Sequence, residues 1–276
     1  MKRSERLVDM TKYLLEHPHK LISLTFFAER YDSAKSSISE DLAILKQTLA
    51  SNQSGILETV AGAAGGVRYI PYVGKDQTEE YVLDLAKRIE DPNRILPGNF
   101  VYLSDILNDP EDLRRIGEIV ATRYAYDDID AVMTIETKGI PLAQSAARYL
   151  NVPFVVARKR NKVTEGATMS VNYISSSLEI ISKMGLPTRA LPKGARVLVI
   201  DDFMKGGGTL VGMEQLVHEF EGTVAGAFVL CEADIKKDKM MEDYVSLIKI
   251  TQIDHQKKLI SSEIGNFLAR TDFDRI

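Results

Sequence analysis

The stretch VLVIDDFMKGGGT, Val197 to Thr209, constrains the fold more than any other part of this 276-residue chain. Four successive apolar residues, Val197 to Ile200, suit a strand buried on both faces. After the loop, Leu210 to Phe220 sets Met213, Leu216, Val217 and Phe220 along one helical face. A strand that feeds a helix through a glycine loop puts that loop at the carboxyl end of a sheet, where open α/β folds bind ligands. Gly206, Gly207 and Gly208 permit close backbone approach, and their N–H groups with the following helix start form an anion cradle. Lys205 adds a cation and Thr209 a hydroxyl. Asp201 and Asp202 repel a phosphate unless they meet another part of the same ligand, so ribose hydroxyls or a magnesium ion are their natural partners. A dinucleotide loop is excluded because Val211 stands where its last glycine belongs, and a Walker A loop lacks its Gly-Lys-Ser/Thr. A structural turn with a solvated aspartate pair is the other reading of the spacing.

The surrounding chain alternates in the same manner. Helices are predicted over Glu79–Glu90 and Glu111–Tyr124, with a proline- and glycine-punctuated connection between them that contains a short run, Phe100 to Leu103. Strands are predicted over Asp130–Ile135, Phe154–Ala157, Arg196–Ile200 and Val224–Leu230. Glu136 to Gly139 reads as a loop, with Pro141 as the first residue of a helix running to Leu150. Strand, loop, helix and strand occur twice, which implies an α/β fold with a mainly parallel sheet over residues 75–276.

Residues 1–74 follow a different pattern. A helix is expected from Ser4 to Glu16, ended by His17-Pro18, then a short one over Phe26–Tyr31 with Thr25 as its N-cap. Ile38, Leu42, Leu45 and Leu49 mark a third helix, capped by Ser33 or Ser37. Lys35, Ser36, Ser37 and Ser39 crowd its first turns, where small hydroxyls and exposed N–H groups approach phosphates and base edges closely. Two β-rich runs, Ile56–Val60 and Val67–Val73, flank Ala61 to Gly66, and a linker follows over Gly74–Thr78. Three helices and a hairpin make an α+β winged helix-turn-helix, whose last helix enters the major groove and whose wing touches backbone or minor groove. Lys2, Arg3, Arg6 and Arg68 join Lys35 and the serines as candidate DNA contacts. A small helical dimerisation cap with solvated serines fits the same pattern. The charge balance favours the segment only weakly, with 9 basic against 8 acidic residues there and 26 against 31 in the remainder.

The single cysteine, Cys231, allows no internal disulfide and no zinc cluster, and a buried apolar role suits it. The start MKRSERLVDM lacks an apolar leader segment and no run approaches membrane-spanning length, so a cytoplasmic protein without membrane partners is expected.

IDDFMKGGGT resembles the 5-phosphoribosyl 1-diphosphate (PRPP) signature of type I phosphoribosyltransferases. Together with KSSISEDL, GAAGGVRYIP and RILPGNFVYLSDIL, the chain resembles nearly end to end the purine operon repressors of Gram-positive bacteria. That resemblance implies a winged-helix domain fused to a PRPP-sensing phosphoribosyltransferase-like domain, working as a homodimer on operator DNA of purine synthesis and transport genes. By resemblance, Asp201 and Asp202 hold the ribose hydroxyls and Met204 to Thr209 wrap the 5-phosphate, while Thr137-Lys138-Gly139 matches a diphosphate loop that often carries a non-proline cis peptide. Arg158 and Lys159, leading into RNKVTEGATMSVNY, match a basic flexible loop. Phe203 and Tyr102 are placed to stack on a nucleobase or on a guanosine tetraphosphate alarmone, or else to serve the core. The implied effector is PRPP with any Mg²⁺ it carries, without a metal site of the protein's own. Gly206 stands where catalytic members usually carry threonine, which removes a hydroxyl donor worth on the order of 1.5–3 kcal/mol to a charged group. The expectation is therefore a regulator without turnover, against the alternative of an active purine or pyrimidine phosphoribosyltransferase with an accessory domain.

Overall fold

A computed structural model describes residues 1–62, 65–160, 163–175, 180–233 and 239–274. At the N-terminus, α1 (Arg3–Glu16), α2 (Leu24–Tyr31) and α3 (Lys35–Ser51) precede an antiparallel hairpin of β1 (Ile56–Val60) and β2 (Gly66–Ile70). Met10, Leu14, Phe27, Ile38, Leu42 and Leu57 fill their common core. The Ile38, Leu42 and Leu45 stripe is buried as its spacing requires.

The helix ends differ from expectation. Ser23 rather than Thr25 caps α2, its Oγ accepting from Phe26 N at 3.1 Å. Neither Ser33 nor Ser37 caps α3, whose N-cap is Ala34. The Ser33 hydroxyl instead donates to Tyr31 O at 3.1 Å and accepts from Arg6 Nη1 at 3.3 Å. The second hairpin strand stops at Ile70, before Pro71, which has no N–H for a ladder. No linker occupies residues 74–78, because α4 (Lys75–Ile89) begins at once and buries Thr78, Val82, Leu85, Ala86 and Ile89 along one face.

The remaining elements are β3 (Ile95–Leu96), β4 (Phe100–Val101), α5 (Pro110–Arg123), β5 (Ala131–Ile135), α6 (Gly139–Leu150), β6 (Phe154–Ala157), β7 (Thr168–Ser175) and β8 (Ile180–Pro187), then β9 (Arg196–Met204), α7 (Gly208–Glu219), β10 (Thr223–Ala233), β11 (Val245–Asp254), β12 (Leu259–Ile264) and α8 (Phe267–Arg270). A six-stranded sheet runs β12-β11-β10-β9-β5-β6, parallel except for the β11–β12 pair. Strand β9 sits inside it and shows why: Leu198 and Ile200 enter one core cluster with α4, α5 and α6, while Val197 and Val199 enter the other with α7. From adjacent β5 and β9 the chain leaves in opposite directions, to β6 and to β10, which makes their carboxyl ends a topological switch point. Strands β7 and β8 form a separate hairpin beside α7, so much of the stretch read as a loop after Lys159 is strand. Residues 161 and 162 of that stretch, and 63 and 64 of the hairpin turn, lie outside the described residues. Among the described residues no helix is long and apolar enough to cross a membrane.

Polar links tie the hairpin and the segment that follows it to the larger unit. Tyr126 Oη donates to Glu58 Oε1 at 2.8 Å, and Val73 N donates to Thr122 Oγ1 at 3.0 Å. Glu58 is also paired with Arg68 across the hairpin at 2.6 Å. Arg6 is not the surface cation expected: it is buried and ion-paired with Asp41, a fully buried carboxylate that Arg3 also reaches at 2.9 Å. Removing one partner of such a pair strands the other charge, so Asp41→Ala is expected to cost about 3–5 kcal/mol of stability in urea unfolding. A loss under 1 kcal/mol would mean that the pair holds nothing.

Candidate functional site

A cavity of about 310 Å³ opens at the β5–β9 switch point. Strand β9 runs four residues further than expected, to Met204, so Asp201 and Asp202 lie within the strand rather than in the loop. Asp202 N donates to Asp201 Oδ1 at 2.9 Å, and both residues line the cavity. Burial, then the neighbouring Asp202 charge, raises Asp201 well above the usual carboxylate range, and burial raises Asp202 as well. Lys159 and Lys138 act in the other direction on Asp201 and Asp202 respectively, but burial outweighs them.

Beyond the aspartates the loop turns sharply. Gly207 has φ of 83°, a left-handed conformation that glycine adopts without penalty, and it is the N-cap of α7. Gly208 and Thr209 thus belong to the first turn of α7, at the positive end of the helix dipole, which attracts anions. Residues 203–209 all line the cavity, Phe203 also packing against the core. The Lys205 ammonium donates to Gly98 O at 3.2 Å and lies 3.9 Å from the centre of the Phe100 ring, and desolvation there lowers its pKa.

The opposite wall comes from the end of β5. Thr137 and Lys138 line it, and the Glu136–Thr137 peptide is cis. Gly139 lies beneath, buried in α6, where a Cβ would stand 2.2 Å from Thr134 Oγ1. The helix starts at Gly139, which shortens the expected loop and puts Pro141 in the first turn instead of at its first position. Lys159 reaches the cavity, its backbone N–H donating to Glu136 Oε1 at 2.9 Å. Arg158 does not line it, being tied to Glu165 at 2.9 Å and Glu136 at 3.5 Å. Tyr102 is also outside the wall, and Phe100 of β4 takes the aromatic place instead.

Glu136, Phe100, Tyr173 and Ser175 line the cavity without having been anticipated. Tyr173 and Ser175 are alternate residues of β7, a period-2 signal present in MSVNYIS. In the N-terminal unit, Lys2, Arg3, Lys35, Ser36 and Ser39 are exposed, and Ser37 is half-buried. Arg68 is half-buried and held by Glu58.

Residues 2–71 match the N-terminal domain of the bacterial purine repressor, and residues 103–263 match the phosphoribosyl transferase domain. The chain is 53% identical, over 97% of its length and 94% of the relative's, to the purine biosynthesis transcriptional repressor PurR of Bacillus subtilis. It is 47% identical, over 96% of its length and 98% of the relative's, to the purine biosynthesis transcriptional activator PurR of Lactococcus lactis. Adenine phosphoribosyltransferase from Thermoanaerobacter pseudethanolicus superimposes with a TM-score of 0.53 at 26% identity, over 60% of this chain and 99% of that one.

The raised carboxyls give a pH signature. The folded chain binds the Asp201 proton more tightly than the unfolded chain, whose aspartates titrate near about 3.9, so this residue adds stability as pH falls from neutral and adds no more below about 4. Asp201→Asn is expected to raise the melting temperature of the ligand-free protein at pH 7.5, with its advantage closing as pH falls. Parallel melting curves across that range decide it, and an advantage independent of pH would refute the assignment.

Proposed function

The chain belongs to the family of bacterial purine-biosynthesis regulators that join a purine-repressor N-terminal domain to a phosphoribosyltransferase domain, and from that premise we propose that it binds operator DNA of purine synthesis and transport genes under the control of PRPP. One observation carries the reading: a carboxylate pair and a helix N-terminus share one cavity at the switch point, in a chain that also carries three helices and a hairpin. PRPP has the matching chemistry. Its 5-phosphate suits the N–H groups of Gly206 to Thr209, its two ribose hydroxyls suit Asp201 and Asp202, and its diphosphate suits Thr137, Lys138 and Lys159. Asp201 and Asp202 would be the carboxylates available to any magnesium carried by the ligand, which would supply charge to offset them. Ribose hydroxyls donate to ionised carboxylates, so binding drives protons off the aspartates whose pKa burial has raised.

The relatives at 53% and 47% identity are named as regulators of transcription, and the pocket serves here as a receptor. Gly206 offers the phosphate no hydroxyl, which leaves its recognition to the backbone N–H groups of the loop and to Thr209. A guanosine tetraphosphate alarmone presents the same diphosphate chemistry and competes for the cavity. The protein acts as a cytoplasmic homodimer, whose two-fold symmetry a palindromic operator would mirror.

DNA is met by the start of α3, where Lys35, Ser36 and Ser39 are exposed. Asp202→Ala is expected to leave operator binding intact and abolish its response to PRPP, while Lys35→Ala weakens operator binding about tenfold without changing PRPP affinity. Gel-shift titrations with calorimetry read both halves. Steady diphosphate release from PRPP with any purine or pyrimidine base would sink the receptor reading.

A further inference from the structure

Behind the glycine loop lies a buried polar knot that the cavity itself does not use. Glu232, near the end of β10, pairs in register with Met204 of β9, one residue before the loop begins. Its side chain is almost fully enclosed. Glu232 Oε1 accepts from Ser246 Oγ at 2.6 Å, and Oε2 accepts from Tyr244 Oη at 2.6 Å and from the Lys239 ammonium. Lys239 Nζ also donates to Tyr244 Oη at 2.6 Å. Asn266 fastens the same corner, accepting from Ser246 N at 2.8 Å and donating to Tyr244 O at 3.0 Å.

The knot fixes both ends of the segment Lys239 to Tyr244, and that segment lies on the back of the loop. Met240 N donates to Gly206 O at 2.9 Å. Met241 N stands 3.1 Å from where a Gly207 Cβ would be, and the Met241 side chain is buried beside Tyr244 in the core. The Gly206 carbonyl is thus held outward, away from an anion it would repel. Such a loop binds phosphate only if its N–H groups are already turned inward, because ordering it at the moment of binding subtracts from affinity.

We propose that Glu232, with Lys239 and Tyr244, is a positioning group for the phosphate-binding face of Gly206 to Thr209, an inference that rests on the assignment of that loop to the 5-phosphate. The knot touches no ligand. It acts through the Met240 to Gly206 hydrogen bond, so its removal affects the 5-phosphate end of the cavity and spares the diphosphate end at Thr137 and Lys138.

The experiment compares two probes on the full chain by calorimetry: ribose 5-phosphate, which needs the loop, and magnesium diphosphate, which does not. In Glu232→Gln, ribose 5-phosphate affinity is expected to fall about tenfold and magnesium diphosphate affinity less than about twofold, the loss of about one well-placed hydrogen bond. Operator affinity without ligand stays at the wild-type value, a readout that a general loss of structure would move. Should Glu232→Gln not fold, Lys239→Met carries the same comparison, since the Lys239 side chain is one quarter exposed. Unchanged ribose 5-phosphate binding, or equal weakening of both probes, overturns the inference. A wild-type chain that binds neither probe overturns the pocket assignment instead.

Discussion

The structure depends on the placement of β9 between two cores. Its residues alternate strictly, Leu198 and Ile200 to one side and Val197 and Val199 to the other, and all four are wholly buried. A slip of one residue would exchange the two faces, so packing fixes the register and with it the position of Asp201 and Asp202 at the mouth of the sheet. Burying four such side chains contributes about 1.5–3 kcal/mol each. That is enough to hold two carboxylates in a place they would not choose.

The acidic pair and the N-terminus of α7 face one cavity, and they attract opposite charge. An anion alone meets the helix N-terminus of α7 but also the unneutralised carboxylates, whereas a ligand that adds hydroxyl donors or a metal ion to its phosphates satisfies both. Lys138, Lys159 and Lys205 sit around the wall, yet Lys205 is drawn aside to Gly98 and the Phe100 ring. The wall therefore presents cations and carboxylates together, a mixture that bare phosphate complements less fully than a ligand carrying hydroxyl donors as well.

Much of this was legible in the residues, and the exceptions have physical causes. Apolar runs and the glycine loop located β5, β6, β9, α7 and the acidic pair because periodicity records burial directly. Strand β9 was read too short because aspartates are poor strand formers, and only its pairing with β10 through Glu232 carries it to Met204. Ser23 and Thr25 are both good caps, and sequence does not say which hydroxyl lies against Phe26 N. Arg6 looked like a DNA contact because its partner Asp41 is 35 residues away. Tyr102 and Phe100 are two positions apart in a short hairpin, and which one faces the cavity is decided by tertiary placement alone. The β7–β8 hairpin was missed because its polar first strand, TMSVNYIS, buries few apolar residues.

The same strand bears on how a cavity at one end of the molecule is related to the hairpin at the other. Where β9 begins, Arg196 grips the loop between α5 and β5, donating from Nε to Asp128 O and from Nη2 to Asp127 O at 3.1 Å, and from its backbone to Asp130 Oδ2 at 2.8 Å. Tyr126 in that loop carries the hydroxyl that meets Glu58 of the hairpin. A ligand changes DNA affinity only by binding two arrangements of the chain unequally, and a tenfold change requires about 1.4 kcal/mol of difference. A hydrogen bond to a charged group contributes about 1.5–3 kcal/mol, so making or breaking the Tyr126–Glu58 contact alone is of the required size. Regulation of this magnitude needs no large rearrangement of the sheet. Two positions of the loop between α5 and β5, one with that contact made and one with it broken, would be enough.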